Sequence, residues 1–148
     1  MRVKDMTPIS FTILGLPVAK GRPKFFRRGS FVGTYTPKKT EQYGDYVLSQ
    51  AFQYRPKQPL VCPLCVVLRF FFPIPASMSK KMRAAAEGET CFMDKKPDVD
   101  NLIKGVLDPL NNIFWTDDKL VVDVRAEKRY SLRPRVEVTI SEAVCVMI

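Results

Sequence analysis

The feature that most limits the fold is a helix with one apolar face, set between two acidic motifs in the stretch from Lys95 to Asp118. Leu102, Ile103, Val106, Leu107 and Leu110 recur at i, i+1, i+4, i+5 and i+8, which predicts a helix of roughly four turns facing a core. Asp98-Val99-Asp100-Asn101 stands at its mouth, and Trp115-Thr116-Asp117-Asp118 comes just ahead of a strand. Crowded carboxylates repel one another unless a cation neutralises them, so acidic pairs from two segments point to a hard divalent ion. Pro97 biases Lys96 toward extended backbone, and if Asp98 to Asp100 is also extended, both carboxylates point one way while Val99 points into the core. In a helix the two would sit about 200° apart. The pair is therefore expected at a strand-to-helix junction, with Asp100 or Asn101 able to cap the helix. Of Asp117 and Asp118, only one can readily face the same ion from an extended chain.

Lys104 follows Asp100 by four residues and precedes Asp108 by four, so the three share a helical face. Asp108 is expected in an ordinary ion-pair ladder with Lys104. For Lys104 itself a contact with a scissile phosphate competes with that ladder. Pro109 removes a backbone bond and sets its ring against the Gly105 carbonyl, which predicts a tight bend or an end near Asn111.

The flanking elements follow from periodicity. Ile9 to Ile13 alternates as a half-buried strand, and Gly15, Pro17, Gly21 and Pro23 punctuate a loop. Thr36-Pro37 reads as a cap and first helical residue for a helix over about 38–54, whose stripe of Tyr43, Tyr46, Val47, Gln50, Ala51 and Tyr54 is expected in the core. Val61 to Phe72 reads as a central strand covered on both faces. Ser77 to Gly88 predicts a short basic helix. Strands are expected over 120–125 and 136–140, joined by a turn at 131–134. The main order is β-α-β-α-β-β, which predicts an α+β fold, a mixed sheet with helices packed on it, in a single compact domain over 1–148.

Charge narrows the partner. The 24 Lys and Arg against 15 Asp and Glu give a formal net charge of +9, which suits nucleic acid. Seven basic residues and no acid lie between Lys20 and Lys39, among them Arg22, Lys24, Arg27 and Arg28, with Phe25, Phe26, Phe31 and Tyr35 interleaved. The basic residues are expected on phosphates, and Lys95 and Lys96 beside the acidic motif join them. The aromatics can stack on bases or, as the preferred reading, pack on the sheet of a solvated hairpin. The chain has no histidine, which excludes histidine bases and histidine-ligated metals, so hydrolysis must rest on carboxylates, lysine and metal-bound water. Cys62 and Cys65 have no second pair to make a zinc site and are expected as small buried hydrophobes. Met1 to Asp5 lacks a signal-like apolar region, and Leu60 to Pro75 falls short of a membrane span, so a soluble, cytoplasmic protein is expected.

The run from Lys96 to Asn111, followed by Trp115 to Val122, resembles the RusA family of Holliday junction resolvases, found in bacteria and prophages. Arg22-Pro23-Lys24, Tyr35-Thr36-Pro37 and Lys128-Arg129-Tyr130 are similar to that family's terminal parts, so the resemblance covers nearly the whole chain. It implies Asp98, Asp100 and Asp118 as metal-binding catalytic acids, Lys104 as an essential lysine, and Mg²⁺ (Mn²⁺ possible) as cofactor. It also implies a homodimer that resolves four-way DNA junctions by paired, symmetric nicks. Two readings compete with it: a non-catalytic DNA-binding or phage-regulatory protein, and a Mg²⁺-dependent nuclease for flaps or other branched DNA.

Overall fold

The computed structural model describes residues 6–145, so the Met1–Asp5 stretch lies outside it. Its centre is a four-stranded mixed sheet in the order β1-β6-β4-β5. The strands are β1 (Ile9–Leu14), β4 (Leu64–Phe72), β5 (Val121–Tyr130) and β6 (Arg135–Glu142). β6 runs antiparallel to both β1 and β4, while β4 and β5 are parallel. A parallel pair needs a crossover, and α3 (Val99–Leu110) lies in it. The expected α+β fold with a mixed sheet is the one observed.

One face of the sheet carries the core. Leu64, Val66, Leu68 and Phe70 of β4 alternate inward and meet Leu102, Val106 and Leu110 of α3 and Val47 and Ala51 of α1 (Lys38–Ala51), all buried. On the opposite face of β4, Cys65, Val67 and Arg69 are only half-buried, so this strand is not covered on both sides as expected. Cys62 lies ahead of the strand, and both it and Cys65 are half-buried free thiols rather than core residues. Phe71 is the exception on that face. The Arg69 and Arg135 guanidinium groups lie 5.3 and 4.0 Å from its ring centre and shield it from water.

Several boundaries differ from expectation for identifiable reasons. α1 begins at Lys38 with Pro37 in the capping position and no side-chain cap, so Thr36 is not the cap. Within its stripe Val47 and Ala51 are buried, but Tyr46 and Tyr54 are exposed. Tyr46 Oη donates to the Leu14 carbonyl at 2.7 Å, and Tyr54 stacks on Phe11 at the end of a following 3₁₀ turn, Phe52–Tyr54. The basic helix is α2 (Lys80–Glu87), capped by Ser79. α3 ends at Asn111 as expected, and Pro109 is accommodated in its last turn. A Cβ on Gly44 of α1 would stand 3.3 Å from the Pro109 ring, so the glycine lets the two helices meet there.

Residues 24–35 form the solvated hairpin of the preferred reading, with strands β2 (Lys24–Arg28) and β3 (Phe31–Tyr35) that the expected β-α-β-α-β-β order did not count. Gly29, at φ +59°, opens its two-residue turn, a conformation that glycine adopts without steric cost. The hairpin aromatics do not pack on the main sheet. Phe26 lies 6.0 Å from Phe31 and 6.3 Å from Tyr35, while Phe25 remains 77% exposed.

Candidate active site and nucleic-acid interface

The acidic motif sits at the N-terminus of α3, but not as an extended pair. Asp98 occupies the capping position, with φ −69° and ψ 142°, and its carbonyl accepts from Leu102 N at 3.2 Å. Its carboxylate makes no capping bond. Val99 is already helical and 38% exposed rather than in the core, and Asp100 lies in the first turn. Neither Asp100 nor Asn101 caps the helix. The unpaired N–H groups of a first turn favour negative charge, so both carboxylates gain from the position.

What precedes the motif is a loop, tied down from β5. Lys128 Nζ donates to the Pro97 carbonyl at 2.8 Å and to the Lys95 carbonyl, and the Lys96–Pro97 peptide is cis. A second tie comes from the N-terminal loop, where Lys20 N donates to the Asn101 carbonyl at 2.9 Å. Gly105 makes this approach possible. A Cβ there would stand 2.7 Å from the Val18 carbonyl oxygen and 3.3 Å from Lys20 N, so only glycine lets the strand-to-hairpin loop cross α3 so closely. The loop then brings Arg22 to the acidic motif. Arg22, Lys96, Pro97, Asp98 and Asn101 line one open concavity of about 620 Å³. Two of the basic residues expected on phosphate thus border one of the expected acids.

Lys104 lines a different, smaller concavity with Lys20, Thr40, Gly105 and Asp108. The expected Lys104–Asp108 ion pair is absent among the described residues. Asp108 pairs instead with Lys20, which the sequence pattern could not show because the partners lie far apart in the chain. Lys104 makes no ion pair among the described residues.

Asp118 opens a 3₁₀ turn (Asp118–Leu120) that leads into β5, and its Oδ1 accepts from Trp115 Nε1 at 2.9 Å. Trp115 is fully buried, and its backbone bridges Leu60 and Asn111, so the indole is a fixed donor. Asp117 is used locally, its Oδ1 accepting from Lys119 N at 2.9 Å. Of this pair, Asp118 is the one held by the core.

The two acidic motifs lie at opposite ends of α3. Asp98 and Asp100 are at its start; Asp118 is tied through Trp115 to Asn111 at its end. Eleven helical steps of about 1.5 Å separate those ends by roughly 16 Å. Two oxygens that share one Mg²⁺ lie within about 4 Å of each other. Consistent with this, among the described residues no three Asp, Glu, Cys or His side chains of the single chain stand close enough to hold a metal ion. One chain alone therefore does not fit a three-carboxylate cation site.

The other basic residues expected on DNA are on the hairpin. Cross-strand partners share a face, so Lys24, Phe26 and Arg28 lie with Tyr35, Gly33 and Phe31 on one side, while Phe25 and Arg27 lie on the other. Arg27 Nε donates to the Gly29 carbonyl at 3.0 Å and stiffens the turn. Across the open face of the main sheet, Glu127 accepts from Arg129 and Arg69, and the Arg129 bond, ahead of the Arg69 one, holds its carboxyl below the usual glutamate value.

The family model described as "Endodeoxyribonuclease RusA" matches residues 15–141, from the loop after β1 through nearly all of β6. The chain belongs to the RusA family. It is therefore placed among nucleases, the class that the acidic motifs and the basic surface suggested. It is also 41% identical over 139 residues to "Uncharacterized protein YqaN" of Bacillus subtilis (strain 168), covering 93% of this chain and 98% of that protein. Among the described residues no helix is long and apolar enough to cross a membrane.

Proposed function

We propose that this RusA-family protein is a cytoplasmic endonuclease that resolves four-way DNA junctions by paired, symmetric nicks. The observation that carries the reading is the concavity at the start of α3, where Asp98 meets Arg22 and Lys96. Cations gather the phosphate backbone, and an uncapped carboxylate lies where the phosphate arrives. Lys24, Arg27 and Arg28 extend the grip along the hairpin, and Lys95 adds to it beside Lys96. Lys104 offsets charge on the phosphate at the reacting strand. Recognition rests on backbone shape, since among the described residues no element resembles a major-groove reading helix.

The proposed cofactor is Mg²⁺, with Mn²⁺ as a substitute, and its proposed ligands are Asp98, Asp100 and Asp118. A hard cation suits oxygen ligands, and the chain has no histidine to offer instead. A single chain does not gather the three acids among the described residues. The protein's own groups bind and orient the backbone: Arg22 and Lys96 at the acids, the hairpin along the arms.

Cleavage of a labelled synthetic four-way junction, beside linear duplex and flap DNA and with Mg²⁺ or EDTA, tests the reading. Metal-dependent paired nicks confined to the junction are expected. Equal cutting of flaps would assign a general branched-DNA nuclease, and binding without cutting in any metal would assign a DNA-binding regulator.

A further inference from the structure

Between β4 and α3 the chain makes an excursion outside the acidic site. It leaves β4 through Pro73 and Pro75, turns through α2, and returns along Cys91 to Met93, where Phe92 bridges antiparallel to Arg129 at the end of β5. Tyr130 N donates to the Cys91 carbonyl at 3.1 Å, and Met93 N donates to the Lys128 carbonyl at 3.0 Å. Arg83 of α2 holds the outgoing arm by bonds to the Pro75 and Ala76 carbonyls at 3.0 and 3.2 Å. Ala86 and Met93 are buried in the core, so the excursion is a fixed part of the fold.

Between its two arms lies a concavity of about 370 Å³, a size that suits a small planar ligand. Met78, Met82 and Phe92 give it apolar walls, and Asp94, Lys95 and Tyr130 give it polar groups. The Arg129 guanidinium lies 4.6 Å from the Phe92 ring centre, yet Phe92 stays 61% exposed, so ring surface remains for a second flat partner. The Asp94 carboxylate makes no ion pair or hydrogen bond among the described residues. The Tyr130 hydroxyl has no partner there either, although the residue is buried and its oxygen is still reached by solvent. Burial, and then the Asp94 charge, push the phenol above the ordinary tyrosine pKa, so at neutral pH it both donates and accepts.

The place of this concavity selects its occupant. Lys128 donates to the carbonyls of both Lys95 and Pro97, which fixes the segment that joins Asp94 to Asp98. Those four residues span at most about 14 Å, the length of about four bases of one strand. Phosphate and deoxyribose within a DNA strand offer no hydrogen-bond donor, whereas base edges do. A carboxylate facing DNA is therefore repelled by the backbone and matched by the exocyclic amino group of adenine, cytosine or guanine, which thymine lacks. Unstacking a base costs least where the stack is already broken, as it is at a strand exchange.

We propose that this concavity is a nucleobase subsite, which takes one unstacked base from beside the crossover, stacks it on Phe92, receives its amino group at Asp94 and disfavours thymine. The inference rests on the nuclease reading above and adds to it: backbone shape brings the junction to the acids, and the excursion reads one base there.

Two variants and two readouts test the proposal. Junctions carrying each base in turn at the four positions on either side of the crossover are cut by wild type, Asp94→Asn and Met82→Trp. Wild type should cut about fivefold or more slowly when thymine occupies the position that is read. Asp94→Asn, which adds a donor amide, should bring the thymine junction level with the others. Met82→Trp fills the concavity from an exposed helical position and should erase the difference while junction affinity is kept. In EDTA, 2-aminopurine at the read position should brighten on binding of wild type and stay dim with Met82→Trp. A wild type indifferent to the base at all eight positions, variants that keep the wild-type profile, or a probe silent everywhere would each overturn the subsite. If wild type cuts no DNA but the probe brightens and Met82→Trp abolishes this, the subsite stands and the nuclease reading falls.

Discussion

Replacing Gly105 with alanine separates helix propensity from tertiary fit at the point that positions Arg22. Ala is favoured over Gly inside a helix by about 1 kcal/mol, so an exposed position would gain stability. At Gly105 the new methyl would stand 2.7 Å from the Val18 carbonyl oxygen and 3.3 Å from Lys20 N, both backbone atoms that cannot rotate away. Overpacking of this kind costs about 1–3 kcal/mol, and displacing the loop also strains the 2.9 Å bond from Lys20 N to Asn101, worth about 1 kcal/mol. The balance is a loss of about 1–3 kcal/mol, or a fall in Tm of roughly 2–4 °C for each kcal/mol in a chain of this size. Urea titration gives the energy, and junction binding gives the site, because the shifted loop moves Arg22 off the Asp98 concavity. A Gly105→Ala protein more stable than wild type with unchanged DNA affinity would refute the reasoning.

Trp115→Phe keeps most of the buried ring but removes the donor to Asp118, and should cost about 1.5–3 kcal/mol by urea titration; a loss under 0.5 kcal/mol, roughly the scatter of neutral changes, would show that the bond contributes nothing. Arg22→Ala with Lys24→Ala should weaken DNA binding and lower the salt slope of log K by roughly 1.8, at about 0.9 per phosphate contact; an unchanged slope would place both residues away from DNA. Glu127 is held below its ordinary pKa of 4.5 mainly by the bond from Arg129. Its ionised form therefore adds stability above that pH, and the contribution is lost as pH falls through the lower folded value. The stability gap between wild type and Glu127→Gln, followed by circular dichroism melts, should be present at pH 7 and shrink below about pH 4.5; a gap constant with pH would contradict the assignment.

Much of this could be read from side-chain periodicity, and the failures have physical causes. α3, β4 and β6 bury one face each, and burial is what writes the 3.6- and 2-residue patterns. The hairpin buries no face on the sheet, so Lys24-Phe25-Phe26-Arg27-Arg28 shows no alternation; the Gly29-Ser30 pair was its one available signal. The acids at α3 were expected in extended backbone, but Asp98 takes the capping position and turns Asp100 into the helix. Lys20–Asp108 joins residues 88 apart and leaves no local trace. The role of Gly105 was tied to Pro109 in the sequence, whereas its missing Cβ makes room for another segment altogether.

The most direct measurement is junction binding and junction cutting by Asp100→Asn, side by side with wild type. The substitution removes a charge and almost no volume at an exposed first-turn position. The account predicts binding at least as tight as wild type, because a negative charge facing phosphate is gone, together with no detectable nicks in Mg²⁺ or Mn²⁺. Cutting at the wild-type rate would contradict it and remove the start of α3 from the chemistry.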